Sequence, residues 1–214
     1  IYCFDGKNTT KWLCYAEIKS IPDNKCISPK QFEISIASKN NGYGNGIFVN
    51  IPRIKNPIEL FILFRAFGIL SDKKICEYIL LDVNDKRNEE IIKYLKASIF
   101  DSNKYMTKED AIQYITNSVT YTPINMSKEN GAKKKKEFTI EILNNDIFPH
   151  CKTEEQKLYF LGYMTNRLIQ TALGWKKFDD RDSYLNKRIE LTGTLLNNLF
   201  RNYFNKMVKE IQKQ

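Results

Sequence analysis

Between Lys11 and Ser20 the apolar residues Trp12, Cys14, Ala16 and Ile18 occupy alternate positions, and Phe32, Ile34 and Ile36 repeat the pattern. A period of two is the mark of strands with one buried face. The segment Asn40-Asn41-Gly42-Tyr43-Gly44-Asn45-Gly46 then turns the chain into Ile47-Phe48-Val49-Asn50-Ile51. Glycine and asparagine supply the positive φ a hairpin needs. A phosphate-cradling loop would need a helix directly afterwards, and here a strand and Pro52 follow. Residues 1–52 are therefore read as β.

Beyond Pro52 the period changes to three and four. Asn56, Pro57 and Glu59 form an N-terminal signature of cap, first-turn proline and capping-box acid. Ile58, Phe61, Leu63, Phe64, Ala66 and Phe67 make that helix apolar nearly all round, and Gly68 ends it. Arg65, alone in this setting, is expected to pair with a carboxylate or to snorkel outward. Ser71 is expected to cap a helix over 72–80, Asp85 one over 86–99, and Thr107 with Asp110 one over 108–116. From Asn117 to Gly131 the pattern lapses around Pro123, predicting a surface excursion. The run Lys133-Lys134-Lys135-Lys136 should lead from it into a short helix ending near Asn145. Thr153 and Gln156 predict a capping box, and Leu158, Leu161, Met164, Leu168 and Ala172 form the stripe of a long helix that Gly174 stops.

The last segment is the densest. Asp179-Asp180-Arg181-Asp182 sets three carboxylates within four positions, closed by Lys187-Arg188. Leu195, Leu196, Leu199, Phe200, Tyr203, Phe204, Met207, Val208 and Ile211 then recur at helical steps, so a long helix with one buried stripe is expected. The predicted fold class is α+β: a small antiparallel N-terminal sheet, then a helical array over 53–214, all in one domain.

Composition adds a sign. The chain has 214 residues with 34 Lys+Arg against 25 Asp+Glu, net +9, which favours polyanionic partners, nucleic acid before anionic membrane. Lys outnumbers Arg by 27 to 7, and Asn (21) and Ile (26) far exceed Ala (7). That skew suits an AT-rich coding sequence and weakens the lysine excess as evidence. No apolar run approaches the ~20 residues that span a bilayer. The chain opens on Ile1 and stops just after a helical pattern, so both ends read as cut from something longer. Five scattered cysteines without a C-x-x-C pair read as reduced intracellular thiols.

Familiar catalytic patterns are missing: there is one His and no G-x-S-x-G, Walker or H-E-x-x-H motif. Asp179, Asp180 and Asp182 are the one tempting metal site, since closely spaced carboxylates can hold Mg²⁺ for phosphoryl transfer. Arg181, Lys187 and Arg188 stand so close that the acids would be neutralised internally. Helix capping and local ion pairing explain the cluster more simply.

Three segments carry a resemblance. D-D-R-D-S-Y-L-N-K-R-I-E-L-T-G-T-L-L, from Asp179 to Leu196, resembles a D-D-x-D-x-x-x-x-K-R-x-x-x-x-G-x-L-L stretch in the second-largest subunit of multisubunit DNA-dependent RNA polymerases. F-L-G-Y-M-T-N-R-L, from Phe160 to Leu168, is similar to that family's F-L-G-Y-M-x-N-R-L. P-I-E-L-F-I-L-F-R-A-F-G-I, from Pro57 to Ile69, looks like its P-I-x-x-x-x-x-F-R-A-L-G-I helix. Shorter matches at Glu17–Ser20, Asp82–Asp85 and Phe148–His150 keep the same order. Thr194 stands where a proline is common, and the loop from Asn117 to Lys136 has no clear counterpart.

The resemblance implies the lobe region, beside the protrusion, forming one wall of the cleft that admits downstream DNA. It implies that the catalytic Mg²⁺ is held by the largest subunit. This segment would then have no catalytic residue, metal or cofactor of its own and would be inactive alone. Lys187 and Arg188, with Arg181 as a further candidate, would contact nucleic-acid phosphates, and Asp180 and Asp182 would orient those cations. The implied partners are the other polymerase subunits (the largest subunit and a small zinc-ribbon subunit), a general initiation factor, and DNA. The implied location is intracellular: nucleus if eukaryotic, host cytoplasm or virion if from a large DNA virus. Two rivals are a stand-alone basic nucleic-acid-binding module and a Mg²⁺-dependent nuclease or transferase built on the three aspartates.

Overall fold

The alternation at the N-terminus builds a five-stranded antiparallel sheet in the order β1 (Tyr2–Asp5), β2 (Trp12–Ser20), β3 (Lys30–Asn40), β4 (Asn45–Asn50), β5 (Ile58–Glu59). The computed structural model describes residues 1–6, 11–22, 29–122, 127–180, 182–187 and 189–213. Cys14, Ala16, Phe32, Ile34, Ile36, Ile47, Val49 and Ile58 all point to the buried face. The expected hairpin joins β3 to β4, with Gly42 at φ 97° and Gly44 at φ 138°.

Helices α1 (Leu60–Ala66), α2 (Asp72–Leu80), α3 (Glu89–Ser102), α4 (Lys108–Asn117), α5 (Lys128–Asn145), α6 (Glu154–Ala172) and α7 (Thr192–Ile211) follow. The fold is α+β, as the pattern predicts. All seven residues of α1 are buried. α6 packs against α2 and along β2, and α1 lies against α4. Residues Ile1–Asp179 make one compact unit and Asp180–Gln214 another. Among the described residues no helix is long and apolar enough to cross a membrane.

Two helix starts differ from the sequence pattern. Asn56 and Pro57 do not open a helix. Ile58 pairs with Val49 and Glu59 with Phe48 as a short edge strand, so α1 begins at Leu60. Glu59 makes no cap hydrogen bond, because its carboxylate accepts instead from the Tyr114 hydroxyl at 3.2 Å. The four lysines do not precede a helix either: they lie inside α5, which Ser127 caps by accepting from the Asn130 N–H. Lysine is a good helix former, and Gly131 is absorbed because Thr139, Ile142 and Leu143 anchor the far end in the core. Three caps match their signals: Asp85 accepts from Arg87 N–H in a 3₁₀ turn, Thr107 accepts from Asp110 N–H, and Thr153 with Gln156 forms the full capping box. Ser71 stands before α2 as expected but makes no side-chain cap bond.

Arg65 is fully buried and ion-paired, as expected, its Nη2 lying 2.7 Å from the Asp72 carboxylate. Lys157 is a second buried cation. Its Nζ donates to the Leu143 and Asn144 carbonyls at the end of α5, and burial pushes its pKa down.

Candidate nucleic-acid interface

Helix α6 sets up the chain's approach to the acidic cluster. Its residues Gly162 and Asn166 stand on one helical face, at i and i+4, and Arg167 follows on the adjoining side. A Cβ at Gly162 would sit 2.1 Å from the Tyr78 carbonyl oxygen, so glycine is what lets α2 lie so close. Asn166 Nδ2 donates to the Ile79 carbonyl at 2.9 Å. Arg167 Nη2 reaches both carboxylate oxygens of Asp179 at 3.2 Å. Burial works against the Arg167 charge, but Asp179, Cys3 and Tyr163 together outweigh it and the guanidinium is held above its ordinary pKa. The F-L-G-Y-M-T-N-R-L segment is thus a clamp on α2 and on the departing chain. The adjacent Asn-Arg pair one turn after a glycine is the signal that could have revealed it.

Asp179 is fully occupied by that clamp. Its Oδ2 also accepts from the Cys3 N–H at 2.8 Å, while its own N–H donates to the Cys3 carbonyl at 2.9 Å. One of the three clustered aspartates is therefore a structural clasp of the Ile1–Asp179 unit.

The other two belong to the second unit. The Asp180 side chain accepts from the Asp182 N–H at 2.9 Å, and Asn186 Nδ2 donates to the Asp180 carbonyl at 2.7 Å. The N–H groups of Asn186 and Lys187 both donate to the Ser183 carbonyl. These bonds tie Asp180, Asp182, Ser183, Asn186 and Lys187 into a compact turn, with local Asx bonding at Asp180. Lys187 Nζ lies 3.9 Å from Asp182 Oδ1 and 5.5 Å over the Tyr184 ring. Asp182 and Lys187 side chains are 92% and 52% exposed, so this pair stands in water, where an ion pair is worth only ~0–1 kcal/mol. Its contribution is direction: the ammonium is tethered on two sides and still presents itself outward. Arg181 and Arg188, the other two predicted phosphate contacts, lie outside the described residues.

The cluster does not cap the helix that follows. α7 starts after Leu191, which makes no side-chain cap bond. Nor is the α7 stripe buried, contrary to its pattern: Leu196 is 60% exposed, Phe200 69% and Tyr203 66%. No residue of α7 is buried at all. Among the described residues, no group of three or more His, Cys, Asp or Glu side chains is gathered at metal-binding distance. Burial pushes the thiols of Cys14 and Cys76 up to about 12 and about 11, so neither is a thiolate near neutral pH.

Fold and site together define a helix-clamped α+β module that carries an exposed turn bearing Lys187 and an uncovered amphipathic helix. The chain belongs to the RNA polymerase Rpb2, domain 2, family, whose model matches residues 7–190. It is 34% identical to the DNA-directed RNA polymerase II subunit RPB2 of Encephalitozoon cuniculi over 97% of this chain and 17% of that protein. It is 30% identical to the DNA-directed RNA polymerase II subunit 2 of Arabidopsis thaliana over 99% of this chain and 18% of that protein. It is 29% identical to the DNA-directed RNA polymerase subunit 2 of Acanthamoeba polyphaga mimivirus over 98% and 18%. The chain thus spans less than a fifth of the length of the curated relatives it matches. The resemblance to second-largest polymerase subunits, read from three motifs, is the correct one, and the matched region is the lobe.

Proposed function

We propose that this chain acts as the lobe of a DNA-directed RNA polymerase, forming a wall of the downstream-DNA cleft and a docking surface for transcription partners. In this reading it contributes to a nucleotidyltransferase only within the assembled enzyme, and the largest subunit holds the catalytic Mg²⁺. Lys187, with Arg181 and Arg188, meets DNA phosphates, while Asp182 aims Lys187 and Asp180 holds the turn. The partners are the largest subunit, a small zinc-ribbon subunit and a general initiation factor, in an intracellular enzyme.

The observation that carries this reading is the outward Lys187, tethered to a carboxylate and a ring on a turn that is hydrogen-bonded from within. A cation so placed reads phosphate without sequence preference. The uncovered stripe of α7 supports it, since contiguous apolar surface of this kind marks a face made for another polypeptide surface.

The test is DNA retention by an assembled polymerase carrying Lys187→Ala and Arg188→Ala. The log–log salt slope should flatten by about 0.9 for each phosphate that the variant no longer neutralises. An unchanged slope would take these cations out of the DNA path.

A further inference from the structure

The Ile1–Asp179 unit carries a cavity of about 760 Å³ at one end of the sheet, between β2, β3, β4 and the end of α3. That is the size range of small-molecule sites. Its lining combines three kinds of group that rarely meet by accident. Trp12 and Phe48 stand with ring centroids 5.8 Å apart and planes at 54°, forming an aromatic corner. Glu59 lies against it with Oε1 engaged by Tyr114, while its Oε2 is buried and has no hydrogen-bond partner. Such an orphaned acceptor is costly to leave unpaired, and an incoming donor would satisfy it. Lys11, Lys39 and Lys104 stand around the rim, and Lys11 already rests over the Trp12 ring at 4.8 Å.

The site is kept open by its backbone. A Cβ at Gly46 would meet Asp101 Oδ2 at 2.7 Å and the Phe48 ring at 3.0 Å, so only glycine lets both close in unstrained. Asp101 is committed to its own partner, accepting from Asn41 Nδ2 at 2.7 Å. The unmet demand of the cavity is therefore a hydrogen-bond donor for Glu59, while its aromatic walls suit a planar group and its rim lysines suit negative charge.

We propose that this cavity binds a single nucleotide, its base against Trp12 and Phe48, an N–H edge on Glu59, and its phosphate among Lys11, Lys39 and Lys104. Base stacking on aromatic side chains and carboxylate acceptance from base amines are established modes of recognition. An arginine from a protein partner could also satisfy Glu59 and stack on Trp12. The three rim lysines oppose a cation, and this decides for the nucleotide. The same chemistry is offered by a free nucleotide and by a splayed base of a single strand.

The experiment follows Trp12 fluorescence in the 214-residue chain carrying Trp175→Phe, titrated with GMP, with the oligonucleotide dG8 and with an abasic 8-mer. Saturable quenching by GMP or dG8, absent with the abasic strand, is expected. Comparable affinity for both probes identifies a free-nucleotide site, and binding of dG8 alone identifies a strand site. Glu59→Gln should weaken binding on the order of tenfold, the loss of a charge-assisted hydrogen bond. Lys39→Ala or Lys104→Ala, both at exposed positions, should lower the salt slope for dG8 by about 0.7 each. Equal quenching by dG8 and the abasic strand would overturn the proposal. So would quenching by an arginine-containing peptide and by neither nucleotide probe.

Discussion

Replacing Arg65 with methionine removes a buried cation while keeping most of its volume. The guanidinium donates to the Ser102 carbonyl at 2.5 Å, to the Tyr105 carbonyl at 2.8 Å and to Asp72 at 2.7 Å. Asp72 is 32% exposed and regains water when its partner leaves. The two carbonyls lie at the end of α3 and just beyond it, and Ser102 is fully buried. The Ser102 carbonyl keeps the Tyr105 N–H at 3.1 Å, so the acceptor left orphaned is the Tyr105 carbonyl. At roughly 1–3 kcal/mol for such a group, Arg65→Met should destabilise by about 1–3 kcal/mol. For a chain of this size that lowers Tm by about 2–12 °C. Arg65→Lys should not restore it, because one ammonium cannot reach three acceptors spread around a planar fork. Adding Asp72→Asn to Arg65→Met should change little further. Thermal melts and urea titrations followed by far-UV circular dichroism read all three variants. A loss below about 1 kcal/mol for Arg65→Met, or full rescue by lysine, would refute this account of α1 and the loop it pins.

Gly162→Ala drives a methyl into the Tyr78 carbonyl and should cost roughly 1–3 kcal/mol as α2 and α6 part. Gly193→Ala, with nothing within 4 Å, should instead be neutral or stabilise α7 by up to ~1 kcal/mol, so paired melts of the two variants test the clamp. Thr153→Ala removes one half of the α6 capping box and should cost about 1 kcal/mol, read the same way. Burial pushes the Glu59 carboxyl above the usual range of a glutamate, with Asp101 adding to the shift. An acid raised in the folded state loses stability as pH rises through its unfolded value, since the fold then holds the extra proton. Glu59→Gln should therefore gain on the natural chain as pH climbs from about 4 towards 7 in a melt series, across the ordinary glutamate pKa, and a constant difference would refute it.

The sheet was legible because a half-buried strand writes its environment into every second residue: Cys14, Ala16, Ile34 and Ile36 could hardly pack otherwise. Caps were legible where the partner lies three residues away, as at Thr153 and Thr107. The α1 start misled because Asn56, Pro57 and Glu59 satisfy a local rule that pairing with Phe48 and Val49 overrides. α5 misled in the opposite sense, since Gly131 and four lysines look like an interruption until Ile142 and Leu143 anchor them. At the candidate site, Lys187 beside Asp182 was readable because they are five residues apart. The role of Asp179 was not, because Cys3 is 176 residues away. The Glu59 cavity was equally hidden, as its walls come from five separate elements. The stripe of α7 is apolar as its spacing predicts, but a period of 3.6 says nothing about whether the surface that covers it lies in the same stretch of chain.

The reciprocal bonds between Cys3 and Asp179 have one further consequence. They fasten the first strand to the last residue of the larger unit, so the two ends of Ile1–Asp179 meet at a single point. A body whose two ends meet can be carried as a side excursion of a longer polypeptide, leaving the host strand's path across that point unchanged. The same clasp means that joining these ends and cutting at an outlying turn, such as Gly42, should yield a circular permutant with the same core.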